Sequence, residues 1–218
     1  MPWLVLVPIV VAAGFAAAIP TILRRLPPPS DEPDGDHYRP LATRRFALTG
    51  FGLCAAAGVL AVLLAPAQSP GWIGLSTLGV LAGMVDARTG FLPKRLIWGG
   101  WVLTGVGLGV AALIGQDGWL LLRVAIGTLA ATTLFWLFWW FGGGFGFGDV
   151  RLAPMIGATA ASVDYTMLAG GLLFGSLAGL AWGLAWQISG RGKAFPYGPA
   201  LVAGPFLALA LRAALGVA

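Results

Sequence analysis

Charged residues, cysteine and histidine are all scarce in this 218-residue chain. Only 10% of its residues are charged and 58% are hydrophobic, which is more apolar surface than a soluble domain of this size needs. The single Cys54 excludes an internal disulfide framework and a zinc site made of cysteine pairs. The one histidine, His37, has no second ligand or nucleophile beside it, so we expect an exposed loop residue. The composition therefore predicts a membrane protein, with no metal or cofactor.

The hydrophobic residues are grouped into long runs. A bilayer core about 30 Å thick needs about 20 apolar residues in a helix. Apolar segments run over about 2–23, 46–66, 70–86, 96–115, 119–141, 150–163, 165–188 and 196–216. They predict an all-α, polytopic integral membrane helix bundle of about eight transmembrane helices. We divide the chain into an N-terminal transmembrane helix at 1–23, a cytoplasmic linker at 24–45 and a membrane-embedded domain at 46–218.

The positive charges predict the orientation of these helices. No Lys or Arg precedes the first apolar run, whereas Arg24 and Arg25 follow it, which is typical of a retained helix rather than a signal peptide. Eight crossings place most basic residues on one side: Arg24, Arg25, Arg39, Arg44, Arg45, Arg88, Lys94, Arg95, Arg151, Arg191 and Lys193. The positive-inside rule makes that side cytoplasmic, with both termini on the other side of an inner (plasma) membrane. Because these charges are spread over short loops, the net charge of +5 does not indicate nucleic-acid binding.

Two aspartates, Asp86 and Asp149, lie at cytoplasmic ends of predicted helices that are short. The chain rises about 25 Å from Pro70 to Asp86 and about 20 Å from Asp149 to Ser162, and Pro154 is expected to interrupt the second segment. Both carboxylates are therefore expected below the membrane surface, where a charged group needs a watery pocket or a partner.

A carboxylate pair in such a pocket has a defined chemistry. Two like charges a few ångströms apart do not both ionise, so one group holds a proton and the other activates a water molecule. Together they hydrolyse an amide without metal or nucleophile. Simpler roles stay open: Asp149 as a helix N-cap, Asp86 as a counter-ion for Arg88 or Arg95, or both as ion-binding groups of a transporter.

Glycines and aromatic residues surround these positions. The segment 142–148 has too many glycines for a helix interior, and its backbone would allow an extended peptide to approach. Glycines recur every four residues at 171, 175, 179 and 183, which predicts close helix packing. The aromatic tract 135–141 is interpreted as an interfacial belt, with substrate stacking as the alternative.

Three segments resemble the prepilin (type IV leader) peptidases. Gly-Phe-Gly-Asp at 146–149 is similar to the Gly-x-Gly-Asp signature of membrane aspartyl proteases. The segment 86–96 resembles the family's first-aspartate segment, with Asp, a basic residue, Thr, and then an apolar residue and Pro. Residues 195–201, Phe-Pro-Tyr-Gly-Pro-Ala-Leu, are similar to its Pro-Phe-Gly-Pro segment and contain the Pro-Ala-Leu of presenilin-type proteases. The resemblance covers about residues 46–216.

The resemblance implies an aspartic endopeptidase at the cytoplasmic membrane face, which removes the short basic leader from pilin-like precursors. The catalytic residues would be Asp86 and Asp149. Substrate-binding residues would come from the two other segments: Gly146, Phe147, Gly148, Pro196, Gly198 and Pro199. Many family members also methylate the trimmed pilin with a zinc-binding domain between the first two helices. Here that linker is short and has no cysteine, so we expect peptidase activity alone.

Within the linker, residues 31–36 include four acids. We interpret this run as a solvated linker, with electrostatic attraction of the basic leader as the alternative. Three rivals to the whole assignment stay open: a proton- or cation-coupled small transporter, a presenilin-like intramembrane protease, and an inactive assembly factor.

Overall fold

The computed structural model describes residues 5–29, 32, 34–142, 146–190 and 195–216, and the regular elements within these ranges are all helical. They form eight helices and one short 3₁₀ turn, Arg39–Leu41. The helices are α1 (Leu6–Arg25), α2 (Arg44–Leu64), α3, α4 (Lys94–Gly115), α5 (Gly118–Gly142), α6 (Phe147–Val163), α7 (Tyr165–Ile188) and α8 (Gly198–Ala214). Helix α3 joins Ser69–Gly74, a π-helical turn at Leu75–Gly79 and Val80–Thr89 without a break.

Five helices in the described part of the chain are long and apolar enough to cross a membrane: α1, α2, α4, α5 and α7. Their outward side chains are apolar; Leu113 is 80% exposed and Ile188 is 86% exposed. Such a surface suits lipid, because lipid does not penalise exposed hydrocarbon. An all-helical fold with membrane-length helices is therefore confirmed.

The helix boundaries agree with the apolar segments to within a few residues. The predicted segment 165–188 coincides with α7 (Tyr165–Ile188). The main departure is α6, which begins at Phe147 rather than at residue 150. The extra turn brings Asp149 inside the helix.

The predicted interruption at Pro154 is wrong, because α6 continues through it. Proline cannot donate a backbone hydrogen bond to the carbonyl four residues earlier, and its ring disturbs the adjacent turn. A neighbouring helix supplies a donor at this place: the Trp101 indole N–H donates to the Arg151 carbonyl at 2.9 Å. The disturbed turn is thereby kept hydrogen-bonded against α4.

Sequential helices pack as antiparallel pairs, closest between α5 and α6 and between α7 and α8. A methyl group built on Gly127 of α5 would lie 2.2 Å from the Ala161 side chain of α6. The predicted close helix packing is confirmed for two of the four α7 glycines, since Gly171 faces Pro205 and Gly175 faces the backbone of Leu201 in α8. Small residues thus let these backbones approach closely.

The turn between α6 and α7 is stabilised by Asp164. Its carboxylate accepts hydrogen bonds from the Met167 N–H, as the N-cap of α7, from the Thr166 hydroxyl and from the Arg212 guanidinium of α8. Partial burial acts to raise the pKa of Asp164, but these hydrogen bonds and the Arg212 charge outweigh it, so the pKa is lowered.

The linker between α1 and α2 is only partly solvated: the described acids of the run 31–36 are exposed, as expected, but the two residues that follow are not. Glu32, Asp34 and Asp36 are exposed, but Tyr38 is 3% exposed and packs in a hydrophobic cluster with the end of α1 and the start of α4. His37 is also half-buried rather than exposed, and its ring lies edge-on to Phe91. An aromatic side chain in a polar linker supplies apolar area that holds the linker on the bundle. Asp31 lies outside the described residues.

Candidate active site

Asp86 lies in the last turn of α3, where it is 4% exposed. The helix ends at Gly90, whose positive φ of 73° suits glycine and whose N–H donates to the Asp86 carbonyl at 2.8 Å. The carboxylate points to the segment before α8 and accepts the Gly198 N–H at 2.9 Å. Two parts of the chain 112 residues apart therefore meet at Asp86.

Asp149 lies in the first turn of α6 and is 6% exposed. The alternative that it serves only as an N-cap is wrong, because Gly146 is the N-cap residue with an extended backbone. The Asp149 N–H donates to the Gly146 carbonyl at 3.0 Å, and the Gly146 backbone in turn hydrogen-bonds the Asp149 carboxylate at the cavity. A negative charge at this position is also favoured by the helix dipole.

The counter-ion alternative for Asp86 is not what the structure shows. Ion pairs within the described ranges use other acids, Glu32, Asp117 and Asp164. Neither Arg88 nor Arg95 forms an ion pair with Asp86, whose carboxylate accepts a hydrogen bond from the Gly198 N–H. The buried carboxylate is thus held by backbone rather than by a basic side chain.

Both carboxylates line one cavity of about 1070 Å³ at one end of the bundle. The cavity walls come from the linker, the α3–α4 connection, the end of α5, the start of α6 and the segment before α8. The two predicted catalytic residues are therefore brought together in a space much larger than a water molecule, which occupies about 30 Å³.

The predicted substrate-binding residues fall into two groups. Gly146, Phe147, Gly148 and Pro196 line the cavity. Gly198 and Pro199 lie behind it: Gly198 binds Asp86, and a methyl group built on Gly83 of α3 would lie 3.3 Å from the Pro199 backbone. Glycines 143–145 of the predicted flexible segment lie outside the described residues.

Leu92 packs against the glycine next to Asp149 and against the glycine that binds Asp86, and this position was not predicted. A methyl group built on Gly148 would lie 3.0 Å from Leu92 Cβ, and one built on Gly198 would lie 3.1 Å from Leu92 Cδ2. One leucine therefore contacts the glycine beside each aspartate. The sequence signal was its place between Asp86 and the next helix, but a single leucine in an apolar chain is not distinctive.

The aromatic tract has two different faces. Phe138 and Phe141, with Leu137, line the cavity. Trp136 and Trp140 stack on each other with ring centroids 5.5 Å apart and are partly exposed. One side of the helix therefore forms a cavity wall, and the other has the amphipathic rings typical of a membrane interface.

The cavity also has a cationic part. Lys94, Arg95 and Arg151 are among its lining residues. The Arg151 guanidinium lies 4.6 Å from the centre of the Phe147 ring, and Trp139 meets the same ring edge-on at 4.9 Å. This stack fixes Phe147 at the cavity mouth.

Within the described part of the chain, no three His, Cys, Asp or Glu side chains come together as a metal site would require. A scan of protein-family models and searches of curated proteins and of solved structures find no match to this chain.

Proposed function

We propose that this protein is a membrane aspartyl endopeptidase of the prepilin peptidase type, which removes basic leader peptides from pilin-like precursors. The observation that carries the proposal is the meeting of Asp86 and Asp149, both buried, at one cavity. They come from sequence segments that each resemble a catalytic segment of that family. The third such segment, 195–201, supplies the Gly198 N–H to Asp86.

The proposed topology has eight transmembrane crossings with both termini outside the cytoplasm. It is supported by the positions of the basic residues, which gather at one end of the helix bundle. The last turn of α1, the start of α2, the end of α3 and the start of α4 all carry Arg or Lys. The cavity opens at this basic end. Because the positive-inside rule favours a cytoplasmic location for the basic end, the proposed location of the site is the cytoplasmic face of the plasma membrane.

The proposed reaction is peptide hydrolysis by one water molecule. One aspartate, ionised, takes a proton from the water as its oxygen attacks the scissile carbonyl carbon. The other, protonated, donates a hydrogen bond to the carbonyl oxygen and stabilises the charge that develops there. Collapse of the tetrahedral intermediate breaks the C–N bond, and the leaving nitrogen takes the proton that the first aspartate removed from the water. The products are a leader with a new carboxyl group and a protein with a new amino group.

The proposed substrate is an extended peptide segment next to an apolar helix. The cavity volume suits several residues of extended chain. Its aromatic wall at Phe138 and Phe141 would contact apolar side chains of the substrate. The glycines around Asp149 would leave backbone groups to which the substrate binds as an added strand. The linker has no room for a methyltransferase domain, so we propose cleavage alone, without a cofactor and without a nucleic-acid partner.

Co-expression with pilin-like precursors tests the proposal. We expect the wild type to shorten a precursor on gels and both Asp86→Asn and Asp149→Asn to abolish the shift, because neither amide can exchange the proton that the pair needs. Mass spectrometry of the product identifies the cut bond. A matched control is Asp117→Asn, which removes an acid that pairs with Arg123 in the α4–α5 turn, away from the cavity.

Normal processing by either aspartate variant would refute the two-aspartate mechanism. No processing by the wild type, with several precursors, would refute the assignment and favour the transporter. Cleavage within the apolar helix rather than before it would favour the presenilin-like alternative.

A further inference from the structure

The segment before α8, residues 195–198, donates the Gly198 N–H to Asp86 and packs on α7 through two aromatic rings. A methyl group built on Gly179 would lie 1.9 Å from Tyr197 Cε2, and one built on Gly183 would lie 2.9 Å from the Phe195 ring. Each glycine thus leaves a notch that a ring fills. The rings also meet each other edge-on, with centroids 5.9 Å apart. The cytoplasmic half of the glycine row therefore holds this segment, not another helix.

The backbone of the same segment has little hydrogen-bonding capacity to spare. Pro196 and Pro199 have no N–H, so Tyr197 and Gly198 carry the two amides of residues 196–199. The Gly198 N–H donates to Asp86, and the Tyr197 carbonyl accepts from Ala200 at the start of α8. A shift of Tyr197 consequently moves the one amide that contacts the carboxylate.

The phenol end of Tyr197 is held on α7 as well. It forms a hydrogen bond with the side chain of Ser176, which lies about one helical turn from Gly179. The ring also lines the cavity that Asp149 lines. Tyr197 is thus adjacent to Asp86 through the backbone and near Asp149 through its side chain.

We infer that Tyr197 is a positioning residue, whose ring, seated on Gly179, sets the Gly198 amide against Asp86 and thereby aligns the aspartate pair. The effect on catalysis rests on the proposed peptidase function, whereas the positioning itself does not. Tyr197→Ala empties the notch, and Gly179→Ala expels the ring from it. The two changes break the same contact from opposite sides.

Hydrogen exchange of the full-length protein in detergent measures the positioning directly. We expect the amides of residues 197–198 to exchange about tenfold faster in both variants than in the wild type, since their local protection is lost. Tyr197→Phe keeps the ring and should restore the protection. The control Gly170→Ala adds a methyl group to the same helix at an ordinary 3.4 Å contact with Ala208 and should change nothing. Unchanged exchange in both Tyr197→Ala and Gly179→Ala would overturn the inference.

Processing kinetics then test its consequence for catalysis. A displaced carboxylate should lower kcat by about 10- to 100-fold, with little change in KM. The double variant Gly179→Ala/Tyr197→Ala should lose no more than the worse single variant, because one contact is removed in both cases. Additive losses, or a rise in KM alone, would overturn a positioning role. If the wild type cuts no precursor, the proposed function fails, and the exchange measurement still decides where Tyr197 acts.

Discussion

Gly198→Ala tests the contact between Asp86 and the backbone most sharply, because the added atom is a single methyl group. That methyl carbon would lie 2.8 Å from Asp86 Oδ2 and 3.1 Å from Leu92 Cδ2. Contacts under about 3 Å are strongly repulsive, so either the carboxylate or the segment before α8 must shift. The 2.9 Å hydrogen bond from the Gly198 N–H is then lengthened or lost.

A hydrogen bond to a charged group contributes about 1.5–3 kcal/mol. If the transition state loses that amount, the rate of cleavage falls about 10- to 100-fold, because each 1.36 kcal/mol is about tenfold. The assay is single-turnover processing of a purified precursor in liposomes. The matched control is Gly105→Ala, since a methyl group there has no neighbour within 4 Å and faces away from the bundle. Wild-type rates for a folded Gly198→Ala variant would refute this account of the site.

Two further predictions concern stability in detergent. Asp164→Ala should cost about 1 kcal/mol through loss of the α7 N-cap, with processing unchanged. Because the pKa of Asp164 is lowered in the folded protein, its stabilisation is present above its unfolded pKa of about 3.9 and is lost as the pH falls through the folded value. The acid unfolding of Asp164→Asn should therefore lack this loss of stability. The difference should be small, since the carboxylate is 37% exposed. Gly127→Ala should cost about 1–3 kcal/mol, because its methyl group would overlap Ala161, whereas Gly109→Ala has open space and should be neutral in thermal unfolding.

The helices and the two acids could be predicted from the sequence because each depends on a local signal. A run of about 20 apolar residues predicts a helix by itself, and an acid such as Asp86 is conspicuous where charge is rare. The start of α6 was placed too late because the apolar pattern begins at Val150, while the helix begins at its glycine N-cap, Gly146. Hydrophobicity is a poor guide to a helix end that is determined by backbone conformation.

The contacts that complete the site could not be predicted, because they join distant segments. The packing of Tyr38 onto the bundle depends on apolar area that only the folded helices provide. Likewise the glycine row in α7 predicted close packing, but not that Gly179 faces a tyrosine ring while Gly175 faces α8. Spacing identifies a helix face; it does not identify what covers that face.

The π-helical turn at Leu75–Gly79 determines the direction in which Asp86 points from the axis of α3. Such a turn holds one residue more than an α-helical turn. If the same residues were regularly α-helical, every side chain beyond the turn would be rotated by about 100° around the helix axis. Asp86 would then face lipid or a neighbouring helix instead of Asp149. The π-helical turn therefore lets α3 hold one extra residue while Asp86 stays at the cavity.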